Sequence, residues 1–415
     1  MNGSPINFNG KQSLVQKATL IAICIYAVTL YVGYINSGLL RLQGLMLYAM
    51  VGLLALVILQ SGKLFINNYL VWYGIFIVAS LLACLFASDR SKSLSSIYAL
   101  VVVWIFALAL NAVITDKKQV ELFLLALTVG SVLLTVYLLV TGKFDAYDDT
   151  SSRFGEGLTG NANVFAAIYM IASSATVYLI LKTERFWGKM AFIAAFLLQV
   201  YSITLSGGRK YFIFPFVLMY FMALQKRDRK QRSHVIRVTA VAVILFILAY
   251  NMLLKVEFLY ENIGYRFEDM LEYFLGISED VESGTIIRER MIARGIELWL
   301  QSPIFGHGPN MFATLGGFGV YSHNNYVEML CNHGIVGFLW YYGFYVYLLV
   351  KLIRRKGNGL MKHFFIGIIA CILVYEYGAI SYNTIIIQVF LMFGIIFERI
   401  DLNENSMKLK ENLSK

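Results

Sequence analysis

Apolar residues in this chain gather into twelve long runs separated by short polar stretches. The runs lie at about 18–35, 42–60, 69–87, 94–114, 120–140, 163–181, 189–206, 210–225, 236–254, 328–350, 364–380 and 384–398. A helix needs about 20 apolar residues to cross the roughly 30 Å hydrocarbon layer; the eighth and twelfth runs are the shortest. Backbone groups in lipid must be satisfied within the segment, and the alternation of a β-barrel strand is absent, so each run predicts a helix. Residues 1–415 then read as a single membrane domain, an all-α polytopic integral membrane protein of about 12 transmembrane helices. Two connections exceed what linking requires, 141–162 and 255–327. The second holds the charged strings YENIGYRFEDMLEYF and ISEDVESG before turning helical again. Long connections of this kind usually carry function.

Composition supports the pattern. Of 415 residues, 59% are hydrophobic and 14% charged, against about 25% charged in a soluble domain. A disordered chain, a secreted disulfide scaffold and an ordinary cytosolic enzyme are excluded. With the N-terminus inside, 23 of the 35 Lys and Arg residues fall in inside segments, among them the cluster KRDRKQR. The bias predicts a multi-pass protein of the cytoplasmic membrane with both termini cytoplasmic. The cluster is a topology signal before it is a site for anionic lipid. The net charge of +10 comes with no nucleic-acid motif, and no nucleic-acid partner is expected. Cys24, Cys84, Cys331 and Cys371 form no CxxC pair and read as small apolar fillers. The first run follows Lys11 and Lys17 without a small-residue cleavage site, so it is expected to be a retained span.

Chemistry concentrates between Arg288 and Phe338, in RERMIARGIELWLQSPIFGHGPNMF and then YSHNNYVEMLCNHGIVGFLWYYGF. On a helix over 287–301, Arg290, Arg294, Glu297 and Gln301 share one polar face, and Arg294 with Glu297 is an i, i+3 ion pair. Arg288 lies on a different face, with Ile292, Gly295 and Trp299. A cation turned toward apolar neighbours requires an anionic partner. Ser322 and Asn324 are candidate N-caps for the tenth helix. The positive helix end disfavours an imidazolium, which predicts a neutral His323 able to accept a proton. Glu328 can orient His323 or cap that helix. Upstream, LSGGRKYF sets Arg209 behind a glycine pair whose bare N–H groups can bind an anion. RFGEGLTGNANVFAA carries Arg153 beside Asp145, Asp148, Asp149 and Glu156, where a local ion pair is the plain explanation. His307, between Gly306 and Gly308, reads mainly as part of a tight turn. His333 and Asn332 read as structural. Glu376, between Tyr375 and Tyr377, reads as a mid-span carboxyl, a functional suspect or a Tyr-bonded group.

These strings resemble the signature of the O-antigen ligase and Wzy-type polysaccharide polymerase superfamily over about 150–350. The matching residues are Arg288, Trp299, Pro303, Gly306, Gly308, Phe312, His323, Asn324, Tyr326, Gly334, Gly337 and Phe338. Upstream, Arg153, Gly160, Asn161 and Asn163 match its Arg…Gly…Asn-x-Asn segment, and Ser206, Gly207 and Arg209 its Ser-Gly-Ser-Arg turn. Gly208 replaces the usual second Ser, and Ala162 stands where Pro is common. The resemblance implies a GT-C-like membrane glycosyltransferase that is metal-independent, inverting and without cofactor. It would take a glycan from polyprenyl pyrophosphate, usually undecaprenyl, to an acceptor hydroxyl at the outer membrane face, for O-antigen, capsule or exopolysaccharide. Membrane lipid, and a flippase and chain-length regulator, would be its partners. On that reading His323, Arg288 and Arg209 are catalytic; Arg153, Arg290, Asn324, Tyr326, Glu328 and His307 bind substrate. The acceptor is a second lipid-linked repeat unit in a polymerase, the preferred reading, or a lipid A core sugar in a ligase. A flippase predicts charges lining the midplane of many spans and repeated halves; mid-span charges are few here, the Arg and His gather at one face, and no repeat is visible. A membrane scaffold leaves the loop motifs unexplained.

Overall fold

The computed structural model describes residues 13–143, 153–224, 231–275, 283–355 and 359–413. Asp145, Asp148, Asp149, nearly all of KRDRKQR and most of ISEDVESG lie outside the described residues. Among the described residues every regular element is helical. In chain order these are α1 (Leu14–Val32), α2 (Ser37–Ser61), α3 (Asn68–Cys84), α4 (Arg90–Val113), α5 (Lys117–Val140), α6 (Glu156–Thr159), α7 (Ala162–Lys182), α8 (Phe186–Leu205), α9 (Arg209–Ala223) and α10 (Gln231–Lys255). There follow α11 (Glu257–Leu259), a π-turn (Tyr260–Gly264), α12 (Tyr265–Phe274), α13 (Ser283–Gln301), α14 (Phe312–Leu315), α15 (Asn325–Arg354), α16 (Leu360–Glu376) and α17 (Ile385–Leu413). Each of the twelve apolar runs coincides with one helix. Eight of these helices are long and apolar enough to cross a membrane, and Asn68–Cys84 is a shorter apolar helix. The protein is a multi-pass membrane protein.

Short polar residues start the helices where the sequence supplies them. Ser13, Asn36, Asn67, Asp89, Asp116, Asn161 and Asn324 each cap a helix by accepting a backbone N–H, satisfying donors that the first turn leaves open. α7 runs through the middle of the bundle, with Ser173, Ser174 and Thr176 buried. Hydroxyls join it to its neighbours, Thr176 to Thr128 at 3.0 Å and Tyr169 to Thr135 at 2.8 Å. α10 is the opposite case, an apolar helix with none of its spanning window buried in the protein. Glu376 ends α16 instead of sitting mid-span. It accepts from Tyr345 at 2.7 Å and from Ser381, so the tyrosine-bonded reading describes it.

The bundle has two chemically different ends. At one, the start of α5, the ends of α7 and α15 and the middle of α17 carry ion pairs: Lys182 with Glu121, Lys351 with Glu398, and Lys117 and Arg355 with Asp401. At the other, the starts of α7, α9 and α15 meet the segment between α10 and α15. That segment is itself helical, as its sequence predicts.

The glycine motifs in this segment are packing devices. Gly334 breaks α15 with φ 63° and ψ −171°, a conformation open to glycine and costly for other residues. The turn after α13 docks on this break, backbone to backbone. His307 N donates to Cys331 O and Gly308 N to Asn332 O, both at 2.9 Å, while Ile335 N donates to Pro303 O at 2.9 Å and Val336 N to Ile304 O at 3.2 Å. Carbonyls and amides freed by the broken helix thus find partners in the turn. A side chain at Gly306 would meet the Asn332–His333 peptide at 2.5 Å, and one at Gly334 would meet Ile304 O at 2.3 Å. Further along, Gly295 lets α13 cross the start of α15, since a Cβ there would lie 2.1 Å from Val327. Gly334→Ala is expected to cost about 3 kcal/mol or more through strain and overpacking. Gly343→Ala, later in α15 with open space around it, is expected to leave stability unchanged or slightly raised. Thermal unfolding of the two purified variants checks the contrast.

Candidate active site

α13 presents the two faces read from the sequence. On the polar side Arg294 pairs with Glu297 at 3.0 Å and also donates to Leu315 O at 3.3 Å, and Arg290 is exposed. Gly295 faces α15, and Arg288, seven residues earlier on the same stripe, is half-buried. Among the described residues the Arg288 guanidinium has no hydrogen bond and no acidic partner. The anion that its setting demands is not supplied by the described part of the protein.

His323 sits at the tip of a clamped loop. Its φ of 55° is left-handed, a region that His, Asn and Asp enter more readily than most residues. Its neighbours fix it there. Ser322 N donates to Glu328 Oε2 at 2.7 Å, Ser322 Oγ donates to Asn324 O at 2.8 Å, and Asn324 Oδ1 accepts from Tyr326 N at 3.0 Å and Val327 N at 3.2 Å. Glu328 is completely buried, with its other oxygen accepting from Asn332 at 2.9 Å. The His323 ring itself accepts no hydrogen bond from the described residues, and Tyr321 lies against it at 4.3 Å between centroids.

Electrostatics link these elements. The His323 pKa is lowered to about 4, first by burial and then by the charges of Arg288 and Lys210. The imidazole is therefore neutral at neutral pH, as the sequence predicts, but burial and two cations are the larger causes in place of the helix end. Burial raises the Tyr321 pKa while Arg288 opposes it, and Tyr211 lies within the field of both Arg288 and Arg153. Arg288, Lys210, Arg153, Tyr211, Tyr321 and His323 thus share one end of the bundle.

The other site residues expected from the sequence have the following partners in the structure. Arg209 turns its guanidinium to the carbonyl of Arg266 in α12, tying α9 to the loop helices, while the next residue, Lys210, sets its ammonium over the Tyr211 and Tyr375 rings, within electrostatic reach of His323. Arg153 is held by Ser206 O at 2.9 and 2.6 Å and by Asn163 Oδ1 at 3.3 Å, which locks the approach to α7 onto the Ser206–Gly208 turn. Glu328 does not bond His323. Both its oxygens hold the loop and α15, and the side chain is completely buried. Tyr326 donates to Leu373 O at 2.7 Å and stacks on Tyr342 at 4.8 Å, so it joins α15 to α16. Asn324 is the α15 cap. His307 bonds Leu298 O at 2.7 Å, ten residues or about 15 Å along α13 from Arg288, and belongs to the turn. Lys210, Tyr211, Tyr321 and Tyr375 were not singled out in the sequence. Lys210 stood inside the LSGGRKYF motif, and its position next to Arg209 concealed that a helix sends adjacent side chains about 100° apart.

The arrangement can hold a strong anion on the half-buried Arg288, within electrostatic reach of a neutral base. No curated protein matches the chain. Residues 194–342 include the Ser206–Gly208 turn, Lys210, Arg288, the glycine-packed turn and His323. They are similar to the family model described as O-antigen ligase, in agreement with the resemblance read from the sequence.

Proposed function

We propose that this protein is a polysaccharide polymerase at the outer face of the bacterial cytoplasmic membrane. It moves a glycan from polyprenyl pyrophosphate to a hydroxyl of another lipid-linked repeat unit. The observation that carries this reading is a half-buried Arg288 with no acidic partner among the described residues, set at the same end of the bundle as a neutral His323. Twelve crossings with both termini cytoplasmic fit the twelve apolar helices and the bias of basic residues, and they turn the Arg288 end outward.

Cleaving a sugar–pyrophosphate bond releases a multiply charged leaving group, which fixed cations in a dry site stabilise as its charge develops. The guanidinium of Arg288 stays charged and grips two phosphate oxygens at once. His323 takes the proton from the acceptor hydroxyl as its oxygen attacks the anomeric carbon. The bond from that carbon to the pyrophosphate oxygen breaks, the configuration inverts, and polyprenyl pyrophosphate departs with the electron pair. No metal enters these steps. Glu328 and Asn324 hold the loop from which His323 projects, Arg209 ties α9 to α12, and Arg153 fixes the approach to α7 on the Ser206–Gly208 turn.

A deletion strain complemented with the wild type, Arg288→Ala or His323→Ala at matched membrane levels tests the reading. Wild type is expected to restore long glycan ladders, while each variant leaves single repeat units on the carrier, a loss of about 100-fold or more. Long chains that stay on the carrier and miss their final acceptor would instead identify a ligase. Variants as active as wild type would contradict both roles.

The lowered pKa of His323 also sets a pH profile. The histidine is active as a base when neutral, so activity persists above its pKa and is lost as pH falls through it. In purified protein the acid limb of kcat/KM, which reports the free enzyme, is expected near pH 4. The limb of kcat should lie higher, because bound pyrophosphate favours the imidazolium. An acid limb of kcat/KM at the ordinary histidine value would contradict the assignment.

A further inference from the structure

Lys210 is an anomaly that the steps above do not use. A lysine near a membrane interface normally buries its stem and extends its ammonium into water. Here the side chain as a whole is half-buried, yet Nζ is buried and has no hydrogen-bond partner. No carboxylate pairs with it among the described residues. Nζ lies 4.9 Å from the ring centre of Tyr211 and 4.8 Å from that of Tyr375. Gly378 leaves room beside it, since a Cβ there would come within 2.8 Å of Nζ. Its charge is felt at His323 together with that of Arg288. Two aromatic faces stabilise a cation by a few kcal/mol at most, short of what burying an unpaired ammonium costs. The buried amine therefore has no hydrogen-bond or ion-pair partner in the empty protein, and an anion that accepts its N–H bonds would favour its charged form.

We propose that Lys210 is a second phosphate ligand of this site, its ammonium clamped between Tyr211 and Tyr375 so that it meets the pyrophosphate of the lipid-linked donor from the side opposite Arg288. This rests on the glycan-transfer reading and adds to it a residue that binds the donor. The tyrosine faces leave the ammonium's N–H bonds unsatisfied, and a phosphoryl oxygen can accept them. Arg288 supplies the two-pronged contact and Lys210 a compact point charge. The same anionic chemistry could come from a carboxylate on an acidic sugar, and the test separates the two sources.

The full-length protein in nanodiscs is titrated with farnesyl pyrophosphate, which carries the pyrophosphate and no sugar, and with glucuronate as the carboxylate probe. Lys210→Met is expected to weaken farnesyl pyrophosphate binding at least tenfold while leaving the melting temperature unchanged or raised, because a buried polar atom without a partner is removed. Lys210→Gln serves as a second uncharged variant with the same expected loss, and glucuronate is expected to bind negligibly. Wild-type affinity in both variants, with Arg288→Ala impaired, would overturn the role of Lys210 alone. No pyrophosphate binding by wild type would overturn the underlying reading as well. A lowered melting temperature with unchanged affinity, failure of both variants to fold, or Lys210-dependent binding of glucuronate in place of pyrophosphate would each overturn the proposal.

Discussion

The close crossing of α13 and its following turn over the broken start of α15 is the constraint on which the rest of the site depends. Gly295, Gly306 and Gly334 remove side chains where backbone must approach backbone or a neighbouring helix. Turn amides and carbonyls then replace the bonds that the helix break gives up. This fixes the stripe of α13 bearing Arg288 against the element that begins at His323. Were either helix free to slide by one residue, the cation and the histidine would part by a rotation of about 100°. The glycines do no chemistry themselves. They set the distance at which chemistry becomes available.

A second constraint is electrostatic. Cations cluster at one end of the bundle while the acidic groups nearby are engaged elsewhere. Glu328 holds the His323 loop, Glu376 bonds Tyr345 and Ser381, and Glu297 serves Arg294. At the opposite end Lys117, Lys182, Lys351 and Arg355 pair with carboxylates. Charge left unmatched in a low-dielectric setting destabilises the empty protein and strengthens its grip on an anion when one arrives. Burial first, and then the same field, keeps His323 neutral, so the charges of the leaving-group site also favour the base.

Much of the fold was legible because lipid demands continuous apolar helices, and the twelve runs each became one. The two faces of α13 were legible for the same reason of periodicity, down to the Arg294–Glu297 pair. What was hidden depends on contacts far apart in sequence. Nothing in GHG or HGIVG announces that the two glycine strings pack on each other. Glu328 and Tyr326 sit in the motif beside His323, yet one points back into the loop and the other toward α16, because a helix distributes neighbours around its axis. Adjacent Arg209 and Lys210 divide in the same way, one to the Arg266 carbonyl and one inward. Glu376 looked central to its span because the helix ends sooner than the apolar run does.

The central claim is that this end of the bundle makes a glycosidic bond and does not merely bind or move a lipid-linked glycan. Reconstitution of the purified chain in liposomes with a polyprenyl-pyrophosphate-linked oligosaccharide tests it most directly. Chain growth and free polyprenyl pyrophosphate should be followed together, alongside the sidedness of the donor. The account predicts one polyprenyl pyrophosphate released for each new linkage, with unreacted donor staying in its own leaflet. Donor that crosses the bilayer intact, with no linkage formed and no pyrophosphate released, would contradict it.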